Sequence, residues 1–372
     1  DLLCHRLGFE TFQGDFMYFD SDLSSKEVRE KFSKLKPLYG FRNKWGYCNA
    51  AFLVAGDVVA AVTGRPWPAF ISDSIFKPLE MNRSKDIALA SNKAYAHTVD
   101  GGVLKKIANG NIDNLAPAGS ISSSANDLSH WLIAQLNNGM YNEKQVIPAN
   151  AIAATRRPQS ILGNGGALFN TGHFALYGLG WMLQEYAGKK TVSHTGGVNG
   201  FVTSVTLVPE EQLGIVVLTN TDANNFYEAL KWEILDAYLK LPYRNYSQVY
   251  LQYQKEDEDN SAKAHQSRMD SIAAKPRSTL PLSSYTGIYI HPIYGKMVIS
   301  MEKEQMTARF EHHKGRSAQL FALGGDRFYA VFNETLYGKN IWDFTNSGSK
   351  VKSVTVHVSD FVEFTPYEFI KQ

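Results

Sequence analysis

Cysteine is scarce in this chain. Only two cysteines, Cys4 and Cys48, occur among 372 residues, too few for a disulfide framework and matching no Cys/His metal spacing. They read as ordinary thiols, and whether they pair is decided by their Cα separation in space. Net charge is nearly as scarce. The 38 Lys and Arg against 36 Asp and Glu leave a formal +2, which gives no sign of a nucleic-acid or membrane-surface partner. Long apolar runs are missing as well: the most apolar stretch, residues 50–62, contains Gly56 and Asp57 and falls short of the roughly 20 residues that cross a bilayer. No membrane span is expected. No phosphate loop, dinucleotide fingerprint or nucleic-acid motif occurs, so no cofactor is expected either. His312 and His313 point to opposite faces if extended, a poor start for a metal site. The opening Asp1-Leu2-Leu3-Cys4-His5-Arg6 lacks the charged start and apolar run of a signal peptide. It reads as the middle of a domain, with any export signal outside these residues.

What is present suffices for two domains, each with its own core. Residues 49–63 are apolar almost all round, followed by Gly64 and Pro66, which predicts a buried helix with Tyr47 and Asn49 at its entrance. Ser124, with Asp127 three residues on, predicts the N-cap of a second helix carrying Leu128, Trp131, Leu132 and Leu136 on one face. Residues 191–194, 201–208 and 215–218 read as strands, with a polar turn at Pro209-Glu210-Glu211-Gln212, and 226–239 as a covering helix. The expected fold class is α/β of the α+β kind: a central antiparallel sheet flanked by helices over residues 1–244. Residues 245–279, with Glu256-Asp257-Glu258-Asp259, read as a solvated connector that is partly helical. Residues 280–372 read as a small all-β domain, barrel or sandwich, from strands at 285–290, 297–301, 306–310, 327–332 and 351–358. Its Tyr285, Tyr289, Tyr294, Phe328 and Tyr329 are taken as core, with a part in substrate selection or oligomer contacts as the weaker alternative.

Several segments share an order with one family. Leu2-Leu3-Cys4-His5-Arg6-Leu7-Gly8, Tyr47-Cys48-Asn49, Ala116-Pro117-Ala118-Gly119-Ser120 and Ser124-Ala125-Asn126-Asp127-Leu128 come first. Tyr177-Gly178-Leu179-Gly180-Trp181, His194-Thr195-Gly196-Gly197 and Gly214-Ile215-Val216-Val217-Leu218-Thr219-Asn220 follow. Together, over about residues 1–240, they resemble the class C β-lactamase, DD-peptidase and esterase superfamily. A Tyr-x-Asn triplet alone is weak, and it recurs at Tyr243-Arg244-Asn245; the neighbouring motifs favour Tyr47.

The resemblance implies acyl transfer by a serine hydrolase. A Ser attacks a carbonyl, a Lys three residues later helps deprotonate it, and a Tyr relays the proton. Carried over, Tyr47 relays the proton, Asn49 binds the substrate amide or the Lys, and His194 orients the substrate or its leaving group. Thr195, Gly196 and Gly197 line it, with the Gly197 N–H as half of an oxyanion hole. His194 stands where β-lactamases usually carry Lys, which favours the peptidase and esterase branches over antibiotic hydrolysis. The family's Ser-x-x-Lys is expected upstream of the Leu-Leu-x-His segment, hence outside these residues, in a separate N-terminal chain or in the same protein. Two matches within the chain, Ser33-Lys34-Leu35-Lys36 and Ser74-Ile75-Phe76-Lys77, read as accidents of composition. The expected partner is a small-molecule or peptide substrate, and the expected location is the bacterial periplasm or secretion from the cell. A protein that senses peptides or cell-wall fragments without turnover is the alternative.

Overall fold

The computed structural model describes residues 1–84, 92–170 and 172–372. They fall into two compact units: Asp1–Gly8, Tyr39–Gly46 and Ala51–Lys255 form the first, and Phe9–Leu38, Tyr47–Ala50 and Glu256–Gln372 the second.

The first unit is built on a six-stranded antiparallel sheet. Its strands are β1 (Ser160–Gly163), β2 (Ala175–Tyr177), β3 (Met182–Tyr186), β4 (Lys189–Val198), β5 (Phe201–Val208) and β6 (Leu213–Thr219), paired in simple sequence order. The β5–β6 turn is the expected polar one. Pro209–Glu211 forms a 3-10 turn and Gln212 takes a left-handed conformation, which sets the register at Leu213↔Val208. One helix, Ala125–Leu136, starts where Ser124 accepts the Asp127 N–H at 3.2 Å. It buries Leu132 with Trp181, Leu183, Val192 and Leu207. Another, Phe226–Tyr238, packs Trp232 and Leu235 with Tyr186, Val208, Ile215 and Val217. Helices on a half-apolar sheet are the architecture that the alternation in β5 and β6 calls for.

The helix Asn49–Thr63 has the expected bounds, and Gly64 ends it at φ +68°. Its burial differs from expectation. Only Ala50, Ala51, Leu53 and Gly56 are buried, while Val58 and Val62 are 51% and 80% exposed. All-round apolarity predicts burial of every face, but the last turns run clear of packed elements among the described residues.

Eight antiparallel strands of the second unit close into a barrel: β7 (Gly287–His291), β8 (Gly295–Glu302), β9 (Gln305–Phe310), β10 (Ser317–Gly324), β11 (Arg327–Phe332), β12 (Lys339–Ser347), β13 (Lys350–Val356) and β14 (Tyr367–Lys371). Pairing of Tyr289 with Lys371 and Ile290 with Ile370 joins first strand to last, which removes the exposed edges of an open sheet. Tyr285, Tyr289, Tyr294, Phe328 and Tyr329 are all buried. Residues 246–273 form one 28-residue helix, Tyr246–Ala273, in which Tyr246 alone is buried. The connector expected to be partly helical is helical over nearly all its length, because Gln, Lys, Glu and Ala are good helix formers even without an apolar stripe.

The early segment Phe9–Leu38 belongs to this barrel unit. Phe16 stacks on His313 with centroids 4.2 Å apart and an interplanar angle of 5°. The rings of Tyr294, Phe310, Tyr337 and Tyr367 surround it at 5.2–5.9 Å, and His313 Nε2 pairs with the Phe16 carbonyl at 2.8 Å. Phe16→Ala should therefore lower the unfolding free energy by about 3–5 kcal/mol, the cost of deleting a buried aromatic ring. A urea titration followed by far-UV circular dichroism measures it, and an unchanged midpoint would detach this segment from the barrel core.

Candidate active site

The site expected from sequence divides between the units: His194, Thr195, Gly196 and Gly197 lie in the first, Tyr47 and Asn49 in the second.

His194 sits on β4 just beyond its last β3 partner, since that pairing ends at Met182↔Ser193. From His194 on, β4 pairs with β5 alone, through His194↔Val205 to Val198↔Phe201. The two-residue turn Asn199-Gly200 closes this hairpin, so Val198, Gly196 and His194 exchange hydrogen bonds with β5. The N–H groups of Thr195 and Gly197 consequently aim at the edge that β3 has left. Gly196 and Gly197 are both exposed. A Cβ on Gly196 would come within 2.8 Å of Thr203 Oγ1, so the strand can lie this close only with glycine there.

A directed chain of hydrogen bonds holds the His194 ring. Its Nδ1 meets the Thr195 carbonyl at 2.5 Å, and its Nε2 meets the Tyr177 hydroxyl at 3.1 Å. Tyr177 also faces His5 Nε2 at 3.2 Å. Burial lowers the His194 pKa, and burial followed by the His194 charge lowers that of His5 to about 3. Both rings are therefore neutral near pH 7. A carbonyl only accepts, so His194 carries its proton on Nδ1. Tyr177 then donates to His194 Nε2, and His5 donates to Tyr177. Both His194 nitrogens thus have protein partners, and the ring acts on the strand edge through Thr195. His5 rests against Trp45 and Phe52, which keeps this chain out of water.

Tyr47 packs edge-on to Phe12, with centroids 5.6 Å apart, and its carbonyl accepts the Phe12 N–H at 2.8 Å. Burial, then the neighbouring Asp15 and Cys48, raise its pKa, so Tyr47 is a neutral hydroxyl. Asn49 donates from Nδ2 to Asp15 Oδ2 at 2.7 Å, and the Tyr18 hydroxyl lies against both groups. Asp15, 3% exposed, opens the 3-10 turn Asp15–Met17, and the N–H groups on either side of it go to a second buried carboxyl. Glu363, 2% exposed, takes the Gly14 N–H at 2.7 Å and the Phe16 N–H at 3.0 Å. The Tyr294 hydroxyl reaches both its oxygens at 3.0 and 3.2 Å. Gly14 holds φ +95°, and a Cβ there would strike Leu35 at 2.7 Å. Asp15 and Glu363 escape a reading of sequence, since neither lies in a motif and Glu363 meets Gly14 and Phe16 across almost 350 positions. His5 and Tyr177 lie inside segments that carried the resemblance.

The two internal Ser-x-x-Lys matches have the following surroundings. Ser33 is exposed and bonds the Glu30 carbonyl at 2.8 Å, while Lys36 is exposed too. The Lys77 ammonium is held by Asp73 at 2.6 Å rather than by Ser74. The two cysteines are free thiols, both buried. Among the described residues no group of three or more His, Cys, Asp or Glu could hold a metal ion, and no helix is long and apolar enough to cross a membrane.

The chain belongs to the beta-lactamase family, whose model matches residues 1–240. A second match, a domain of unknown function numbered 3471, covers residues 272–370. Among curated relatives, unguisins hydrolase ungD' of Aspergillus campestris is 24% identical over 326 residues, 82% of this chain and 59% of that protein. The D-aminopeptidase of Brucella anthropi is 27% identical over 192 residues, covering 50% and 34%, respectively. The D-alanyl-D-alanine-carboxypeptidase/endopeptidase AmpH of Escherichia coli is 25% identical over 212 residues, covering 54% and 52%. The chain thus spans at most about three fifths of the length of these relatives. In fold it is similar to the octameric penicillin-binding protein homologue from Pyrococcus abyssi, with TM-score 0.54 and 18% identity over 100% of this chain and 77% of that one.

Burial pushes both Asp15 and Glu363 up to about 8, from 3.8 and 4.5. The folded state binds these protons more tightly than the unfolded chain. Their contribution to stability is complete below about pH 4 and is lost as pH rises through about 8. Between pH 7 and pH 9 the folded state gives up these two protons, so the melting temperature should fall across this window. It should fall less in Asp15→Asn and in Glu363→Gln. Equal falls in parent and variants, by scanning calorimetry, would show that neither carboxyl holds its proton.

Proposed function

We propose that the protein is a serine hydrolase working through an acyl-enzyme on an ester, D-amino-acid peptide or β-lactam-like carbonyl. Its nucleophilic Ser and Lys are supplied by residues outside these 372. The observation that carries the reading is the strand edge at Thr195–Gly197 without a β3 partner, next to a half-buried neutral histidine, in a chain of this family. An extended substrate laid along that edge can accept from the Thr195 and Gly197 N–H groups. A donor of this kind contributes about 2.7–4 kcal/mol where it meets a developing oxyanion.

In the reaction, the Ser oxygen bonds to the carbonyl carbon and the bond to the leaving nitrogen or oxygen breaks. The Ser proton passes to the leaving group through the Tyr47 hydroxyl, and water then releases the acid by the reverse route. Asn49 binds the substrate amide or the Lys, and His194 orients the substrate by fixing Thr195. These assignments rest on family membership and on the local geometry of each group taken by itself. Relatives named D-aminopeptidase and carboxypeptidase, and His rather than Lys at position 194, favour a D-amino-acid amide over an antibiotic. Bacterial relatives such as these also support an exported enzyme of the bacterial envelope.

Intact-mass analysis of the full-length protein after a fluorophosphonate or a labelled penicillin tests the reading. An adduct on a serine outside these residues is expected. Tyr47→Phe should slow its formation by about 10²-fold or more, the usual share of a general acid or base. Near-normal acylation in Tyr47→Phe removes Tyr47 from the mechanism, and an adduct on Ser33 or Ser74 overturns the placement of the nucleophile. No adduct together with saturable penicillin binding would favour sensing without turnover.

A further inference from the structure

The barrel region 272–370 has no role in the scheme above, yet it supplies the carboxyl that grips the backbone beside Asn49. Glu363 reaches across 349 positions of sequence to Gly14 and across 347 to Phe16. The residue between them is Asp15, and its Oδ2 takes the Asn49 amide proton. All of these residues belong to one compact unit. An amide side chain is nearly symmetric in shape, and only its partner decides which end is nitrogen. With Asp15 Oδ2 accepting, Nδ2 is committed and Oδ1 faces the other way, as a substrate N–H or a Lys requires.

Energetics argue that this carboxyl is more than a staple. A buried carboxyl gives up several kcal/mol of hydration, and an apolar side chain of similar volume commonly serves packing as well or better. What an apolar residue cannot do is accept two adjacent backbone N–H groups, and with them fix the rotation of the peptide units that carry Asp15. Gly14 at φ +95° shows that the turn takes a conformation few residues allow, so it needs such a hold.

We infer that the C-terminal barrel is a positioning element for the reaction, with Glu363 fixing the Gly14–Phe16 turn, the turn aiming Asp15, and Asp15 setting the orientation of the Asn49 amide. The inference rests on the proposed role of Asn49. Asp15 and Glu363 are positioning residues, since neither is placed against the substrate.

The test is a set of mutant cycles in the full-length protein. Steady-state kinetics on D-alanine p-nitroanilide and p-nitrophenyl acetate are measured for Asp15→Asn, Glu363→Gln and Asn49→Ala, and for the first two combined with the third. Asp15→Asn and Glu363→Gln should each lower kcat/KM by about tenfold, the effect of one misplaced hydrogen bond. In the Asn49→Ala background neither should lower it further, because the path ends at that side chain. Losses that persist in that background overturn the inference, as do folded single variants with parental kcat/KM. A second readout works without turnover. In protein labelled with ¹⁵N at asparagine, the Asn49 side-chain amide signal, assigned by its loss in Asn49→Ala, should shift in Glu363→Gln. If Asn49→Ala turns over normally while that signal shifts, the proposed role of Asn49 fails and the relay stands. A signal that stays put in Glu363→Gln removes the relay whatever the kinetics show.

Discussion

One carboxyl group, buried and gripping two backbone amides, makes an early segment of the chain part of a barrel encoded at its far end. Glu363 holds Gly14 and Phe16, and His313 and Tyr337 add hydrogen bonds to the carbonyls of Phe16 and Phe19, beside the apolar contacts of the stretch Phe9–Leu38. Apolar contact is strong but not directional. It can place Phe16 among rings, yet it cannot say how the peptide planes on either side are turned. Hydrogen bonds from the N–H groups on either side of Asp15 to the two oxygens of one carboxyl do that.

The chemistry read from the two units shares a physical theme, which is the removal of formal charge by burial. His5 and His194 lose their cations, Tyr47 keeps its proton, and Asp15 and Glu363 hold theirs up to about pH 8. Groups in this state meet as neutral hydrogen-bond donors and acceptors rather than as ion pairs. The directed chain from His5 through Tyr177 to His194 shows how far this goes: every donor and acceptor along it is assigned once the rings are neutral.

Much of the fold was legible because its signals are local. The bounds of Asn49–Thr63 follow from Gly64 and Pro66, and the start of Ala125–Leu136 follows from Ser124 and Asp127. Strand β11 is found whole from the run Arg327-Phe328-Tyr329-Ala330-Val331-Phe332. Three barrel strands gave weaker signals. In β12 only Trp342 and Phe344 are buried among polar neighbours, in β10 the inward positions are Ala318 and Leu320, and β14 is five residues long. A closed barrel needs each strand to fill only a wedge of the interior, so short or half-polar strands suffice once the ring is complete. The candidate site was legible where family motifs mark it, at Tyr47, Asn49 and His194–Gly197. Asp15 and Glu363 were not, because an isolated carboxylate in sequence looks like solvent-facing charge. Only the closure of a chain segment almost 350 residues long shows that it is buried.

That closure has a consequence for synthesis. Phe9–Leu38 leaves the ribosome long before Tyr294, Phe310, Glu363 or Tyr367 exists, and at about 5–20 residues per second the wait is roughly twenty seconds to a minute. During that time Phe16, Met17, Tyr18 and Phe19, all buried in the finished protein, have no home. The chain cannot mature in the order in which it is made, since an early segment must stay unengaged while the sheet assembles downstream. A nascent protein of this design depends on shelter of its aromatic stretch until the last barrel strand arrives.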